Sequence, residues 1–155
     1  NQLQDLRKLV ENRDFETGMG TIEEIDILTS YQSMLKEKIS LSRPMKAVID
    51  CGNATACLSA PEIFPAVGIE TRELYCDIDG TFPNHHPDPT EDNNLIELIK
   101  QVQSGDYEFG VAFDGDADRV VAVDENGGII RSDILMAIFL PEIILLPIQL
   151  KNFPI

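Results

Sequence analysis

Residues 109–124 read "FGVAFDGDADRVVAVD", two nearly continuous apolar runs joined by a short acidic segment. Runs of this length, rich in Val, Ala and Phe, fit strands that are covered on both faces. "KAVID", residues 46–50, is a third run of the same kind. A sheet built from such strands must lie between layers, so helices are needed on each side of it. The intervening segments supply them. "TIEEIDILTSYQSMLKEKI" places Leu28, Tyr31, Leu35 and Ile39 at helical spacing. It predicts an amphipathic helix from about Ile25 that ends before Arg43-Pro44. "TACLSAPEIFPAV" is a helix disturbed by Pro61 and Pro65, and "GIETRELY" a strand of mixed polarity. "NLIELIKQVQS" turns Leu95, Leu98, Ile99 and Val102 to one side. "ENGG" makes a hairpin turn into "IIR". Ser132 can then cap a helix whose inner face uses Ile134, Leu135, Ile138 and Phe139. The expected fold is an α/β layered domain: a mixed, mostly parallel sheet flanked by helices.

Length and charge narrow the functions. At 155 residues the chain has the size of one globular domain, and its 43% apolar content supports a packed core. Acids outnumber bases 27 to 12, for a formal charge of -15. No basic patch answers a phosphodiester backbone, which argues against nucleic acid, and an anionic bilayer would repel the surface. "ILMAIFLPEIILLPIQL" is the most apolar stretch, but Glu142, Gln149 and two prolines interrupt it short of a membrane span. Cys51, Cys57 and Cys76 are odd in number and lack zinc spacing. They are expected to be reduced core or near-core thiols in a cytoplasmic protein. The first residues, "NQLQDLRKLV", lack an initiator Met, and "LPIQLKNFPI" is not a tidy terminus, so a segment of a longer chain is expected.

The acidic segment carries the chemistry. Asp114, Asp116 and Asp118 stand at alternate positions. Like charges so close repel unless a cation lies between them. Small Gly115 and Ala117 let the backbone curl and turn the carboxylates inward. Carboxylate oxygens suit Mg2+ or Ca2+. An EF-hand is a poor match, because Arg119 occupies the position of its turn glycine and the residues after it read as strand. Arg119 is either a salt-bridge partner for the acids or a fork aimed at a phosphate beside the metal. A plain solvated acidic turn is the alternative to both.

Two other features compete. "CDIDGTF" resembles the nucleophile loop of haloacid-dehalogenase-like phosphatases, with Asp77 at the attacking position and Asp79 at the acid-base position. The strand before it is too polar for that family, and no convincing downstream lysine motif follows, although Lys100 exists. His85 and His86 lie in the Gly-, Pro- and Asp-rich loop after it. They could contact phosphate, transfer a proton or order the loop. Asn84 and Asp88 are expected to hydrogen-bond within that loop.

Four pieces in order resemble the alpha-D-phosphohexomutases, most closely their bacterial phosphomannomutase/phosphoglucomutase members. "FDGDADR" resembles the metal loop, "DGTFPNHHPDPTEDNNLIELI" the stretch before it, "AVIDCGNATA" a turn after a first strand, and "GGIIRSDILMAIF" the strand and helix that follow. The likeness runs from about Ala47 to Phe139, and more loosely back to about Thr21. It implies the second of four domains, over residues 21–146. Residues 1–20 would then be left from a preceding domain or linker, and 147–155 would be a tail or linker. It implies Mg2+ on Asp114, Asp116 and Asp118, with a phosphoserine oxygen from another domain as fourth ligand. Arg119 would contact that phosphoryl group. It also implies hexose phosphate as the substrate of the full-length protein and the remaining domains as partners. The parent would interconvert hexose 1-phosphate and hexose 6-phosphate through a bisphosphate. Ala54 departs from the family's "GNG", and no serine lies in a "TASHNP"-like loop. The isolated chain is therefore expected to be inactive. The phosphatase using Asp77 and Asp79 and a non-enzymatic cation-binding module are the two alternatives to the mutase reading.

Overall fold

The computed structural model describes residues 1–145. Five strands form one sheet: β1 (Met45–Asp50), β2 (Ile69–Leu74), β3 (Phe109–Phe113), β4 (Val120–Asp124) and β5 (Ile129–Ile130). Their order is β2-β1-β3-β4-β5. β2 and β3 flank β1 in parallel, and β4 and β5 follow by antiparallel pairing. Only β4 runs against the other strands, so the sheet is mixed with one dominant direction.

The apolar runs become central strands because both of their faces find cover. Successive side chains on a strand point to opposite faces. Val48, on β1, joins Leu74, Leu95, Leu98, Val102, Ala112, Val121 and Val123 in one core. Its neighbour Ile49 joins Cys51, Ala56 and Ala60 in the other, with Phe64, Val111 and Phe113 against them. Helix α4 (Ile96–Gln103) covers the first face and helix α3 (Ala60–Ala66) the second. On α4, Leu98 and Val102 are buried as the spacing predicts, and Ile99 is partly buried beside them. Gly110 allows the close approach of that helix. A Cβ there would lie 2.7 Å from Val102 Cγ2 and 2.8 Å from Leu98 Cδ1. Burying a Leu or Val side chain stabilises by roughly 1.5–3 kcal/mol, so these three-layer contacts carry the fold.

Several elements differ from the sequence expectations. Residues 2–12, expected to be left from a preceding domain or linker, carry helix α1 (Gln2–Asn12), an element the sequence reading did not assign, with the Asn1 side chain accepting from the Leu3 N–H. Helix α2 spans Ile27–Lys38, later than expected, because Asp26 caps it by accepting from the Thr29 N–H. Ile22 and Ile25 lie outside it and are exposed. The proline-rich segment splits into a 3-10 turn (Thr55–Leu58) and α3. Pro61 is tolerated in the first helical turn, and Pro65 lies inside the helix. Helix α5 (Ser132–Leu145) includes Ser132, whose hydroxyl donates to the Val120 carbonyl at 3.4 Å. Of its expected inner face, Leu135 is half-buried, whereas Ile134, Ile138 and Phe139 are 54%, 54% and 49% exposed. An almost wholly apolar helix has no stripe to fix which side faces inward. The expected tail, 147–155, lies outside the described residues. Among the described residues, no helix is long and apolar enough to cross a membrane.

Candidate metal and phosphate site

The chain leaves β1 through α3 to reach β2 on one side, then returns through α4 to β3 on the other. The two crossovers lie on opposite faces, so the carboxyl ends of β1 and β3 border a switch point. Crevices that receive ligands form there in open α/β sheets. Asp50 ends β1, and Asp114 follows the last residue of β3.

Residues 114–119 form the tight turn from β3 to β4. The Asp114 N–H donates to the Arg119 carbonyl at 3.2 Å, and the Ala117 N–H to the Asp114 carbonyl at 3.1 Å. Closing so short a turn places Ala117 at φ +61°, the left-handed region that a side chain disfavours. The result brings one carboxylate oxygen each from Asp114, Asp116 and Asp118 within 4.8 Å of one another. Asp114 is buried, whereas Asp116 and Asp118 are exposed. The charges act on one another: Asp116, then Asp114, push the Asp118 carboxyl above its ordinary value. Burial pushes Asp114 upward too, but the Arg119 backbone N–H and guanidinium outweigh it and hold it low.

Arg119 grips Asp114 twice, by its N–H to Oδ1 at 3.0 Å and by Nε to Oδ2 at 2.8 Å. Nη1 lies 3.6 Å from Asp88 Oδ1, and Nε 3.8 Å from Asp118 Oδ1. The side chain is 54% exposed. Its fork therefore faces the mouth of the site, anchored through one nitrogen.

The neighbouring segments support this turn. The Thr55 N–H and hydroxyl both donate to the Gly115 carbonyl, at 3.3 and 2.8 Å. Gly52 and Asn53 take positive φ, 54° and 56°, and make the sharp exit from β1. Asn53 Nδ2 donates to the Asp77 carbonyl at 2.8 Å, and its Oδ1 accepts from Asn84 Nδ2 at 2.7 Å. Asn84 thus reaches the turn after β1, beyond its own loop. Asp88 does bond within the loop, to the Thr90 N–H and hydroxyl, and also approaches Arg119.

His85 lies deeper than a loop histidine usually does. Nε2 is 3.1 Å from Asp50 Oδ2, and Nδ1 is 2.9 Å from the His86 carbonyl. Both nitrogens face acceptors, a setting for the doubly protonated ring. The Asp50 carboxylate accordingly raises its proton affinity, against the opposing effect of burial. A ring held on both nitrogens orders the loop. His86 packs edge-on to Phe82 instead.

Asp77 and Asp79 stand apart from the acidic cluster. Asp79 accepts from the Thr81 hydroxyl and N–H, which hold its carboxyl below the usual range and lower its affinity for the proton that an acid-base role would need it to take up. The Asp50–His85 contact was not visible from the sequence. Each residue stood out, at a strand end and in a rich loop, but nothing local joins positions 35 residues apart.

The fold and the turn define a class: an α/β domain presenting an acidic, all-oxygen loop at a sheet switch point. Comparisons with known proteins give the family. The pattern described as "Phosphoglucomutase/phosphomannomutase, alpha/beta/alpha domain II" matches residues 29–128. A phosphomannomutase/phosphoglucomutase of Pseudomonas aeruginosa is 43% identical over 143 residues, covering 92% of this chain and 31% of that protein. A phosphoglucomutase of Neisseria meningitidis is 42% identical over 144 residues, again 92% and 31%. A crystal structure of a phosphoglucomutase/phosphomannomutase family protein from Burkholderia thailandensis superposes with TM-score 0.84 at 43% identity, covering 92% of this chain and 31% of that one. The chain belongs to the phosphoglucomutase/phosphomannomutase family, through its second domain. It spans about 31% of the length of these relatives.

Proposed function

We propose that this chain is the Mg2+-holding domain, over residues 21–146, of a cytoplasmic phosphohexomutase that interconverts hexose 1-phosphate and hexose 6-phosphate through a bisphosphate. The convergence of Asp114, Asp116 and Asp118 at the switch point carries the reading. The donor set fits the ion. Mg2+ takes oxygen ligands at about 2.1 Å, so two ligands on one ion lie at most about 4.2 Å apart. The 4.8 Å limit on the cluster leaves a modest closure. The upward push on Asp118 by its neighbours is the unscreened repulsion that a divalent cation relieves.

Asp114, Asp116 and Asp118 would hold Mg2+, and the fourth protein-derived oxygen would come from a phosphoserine on another domain. When bound, Mg2+ would neutralise charge on phosphoryl oxygens and make the phosphorus more electrophilic. Arg119 would take the same phosphoryl group through Nη1 and Nη2 while Nε keeps Asp114 oriented. Asp88 limits where the free end of that fork can swing. Alone, the chain lacks the serine that transfers phosphate and would be inactive. Family membership leaves the dehalogenase-like reading of Asp77 and Asp79 without support.

The test is phosphate transfer by the full-length protein with mannose, glucose and glucosamine 1-phosphates. Conversion of at least one to its 6-phosphate, with a large loss of turnover in Asp116→Asn, is the expected outcome. Activity untouched by Asp116→Asn would overturn the metal assignment. Cation binding with no conversion of any of the three would favour a non-enzymatic module.

A further inference from the structure

The three cysteines lie outside the acidic site, and together they form a second constellation of reactive side chains. Cys51 follows β1 directly, Cys76 comes two residues after the end of β2, and Cys57 sits in the 3-10 turn. Parallel pairing sets Asp50 against Leu74. The ladder continues beyond the strands, with the Cys51 N–H on the Leu74 carbonyl and the Asn53 N–H on the Tyr75 carbonyl, at 3.1 and 2.7 Å. That registry places Cys76 Sγ 3.2 Å from Cys51 Sγ. Cys57 Sγ is directed instead to the Tyr75 carbonyl, at 3.5 Å. All three thiols are free.

Their access differs. Cys51 is 0% exposed. Cys76 and Cys57 line a cavity of about 470 Å³, with Asn53, Tyr75, Asp77 and Asn84 among its other walls. A small oxidant can enter that cavity and meet Cys76, with Cys51 immediately behind it.

We propose that Cys51 and Cys76 form a reversible oxidation site, closed to a disulfide by hydroperoxides such as hydrogen peroxide. The Cys76 thiolate attacks one peroxide oxygen, the O–O bond breaks, and the departing hydroxide takes a proton to become water. This leaves Cys76 as a sulfenic acid. The Cys51 sulfur then attacks the Cys76 sulfur, the S–O bond breaks, and hydroxide leaves with the Cys51 proton as a second water. Two thiols lose two protons and two electrons, and peroxide gains them. The hydrogen bond to Cys76, together with burial, keeps Cys51 protonated, so it is the poorer first nucleophile, and it gives up its proton to the departing hydroxide only as it attacks the adjacent sulfenic sulfur. The sulfurs need to close from 3.2 Å to about 2.05 Å. The new bond would rivet the ends of β1 and β2 just before the Asn53 turn that holds residues 77–84.

The 155-residue chain provides the test. The folded protein is treated with hydrogen peroxide, blocked with iodoacetamide and mapped by mass spectrometry without reduction. The expected product is a monomer with one Cys51–Cys76 cross-link that dithiothreitol reverses, lighter than the reduced chain by two hydrogens apart from any carbamidomethyl group added at Cys57. Cys57→Ser should form it unchanged, and Cys76→Ser should form none. The oxidised chain should also melt at a higher temperature than the reduced one. Sulfinic acid at Cys76 with Cys51 still alkylatable, a cross-link through Cys57, or thiols that stay unreacted would each overturn the proposal.

Discussion

Replacing His85 by Ala should weaken the fold more than a loop substitution ordinarily does. Asp50 is 1% exposed and has two polar contacts, the Gly52 N–H at 2.9 Å and His85 Nε2 at 3.1 Å. Removing the imidazole leaves a buried carboxylate with one neutral donor. Breaking a fully buried pair from one side costs about 3–5 kcal/mol, and a hydrogen bond to a charged group contributes about 1.5–3 kcal/mol. His85 is still 15% exposed, so water can partly replace it, and the expected loss is about 2–3 kcal/mol. A domain of this size holds only about 5–15 kcal/mol, so the shift is easily read by urea unfolding followed by circular dichroism. Charge supplies a second signature. Asp50 raises the folded-state proton affinity of His85, with burial opposing, while Tyr75 packs edge-on to its ring and the His86 carbonyl accepts from Nδ1. This contribution is complete below the unfolded value of about 6.5 and declines as pH rises through the higher folded value. The gap between wild type and His85→Ala should therefore be widest below about pH 6.5 and narrow as pH rises above it. A double-mutant cycle with Asp50→Asn showing coupling below about 0.5 kcal/mol, or a gap that does not change with pH, would refute the reasoning.

Three further substitutions probe the supports of the site. Gly52→Ala would place a Cβ 2.9 Å from Pro87 Cβ at φ +54°, and should cost about 1–3 kcal/mol in the same unfolding assay. Thr55→Val removes the hydroxyl that donates to the Gly115 carbonyl, and should cost about 1 kcal/mol while weakening Mn2+ binding at the acidic turn, read by calorimetry. Gly110→Val would drive side-chain atoms into Val102 and Leu98, lift α4 from the sheet and lower stability by about 1–3 kcal/mol or more, seen as an earlier urea midpoint.

The sheet was legible because its strands announce themselves. Residues 46–50, 109–113 and 120–124 are apolar runs whose two faces must both be covered, and the helical spacing of Leu95, Leu98 and Val102 supplies one cover. The acidic turn was legible for the same local reason: three carboxylates at alternate positions with small residues between them. What escaped the sequence is nonlocal. Asp50–His85, Thr55–Gly115 and Cys51–Cys76 join positions separated by 35, 60 and 25 residues, and depend on which strand ends the topology sets side by side. Helix α1 was passed over although Leu3, Leu6, Leu9 and Val10 recur at helical spacing in the sequence; among the described residues nothing buries that stripe. The orientation of α5 was misread because almost every position on it is apolar, so spacing alone could not choose a face.

Paramagnetic broadening reads directly whether a cation sits on Asp114, Asp116 and Asp118. Mn2+, which shares the oxygen-ligand preference of Mg2+, would be titrated into the nitrogen-15-labelled chain. The amide signals of Gly115 to Arg119 should fade first, return on excess Mg2+, and persist unchanged in Asp116→Asn. Fading centred on Asp77 and Asp79, or spread evenly over the exposed acids, would contradict the account.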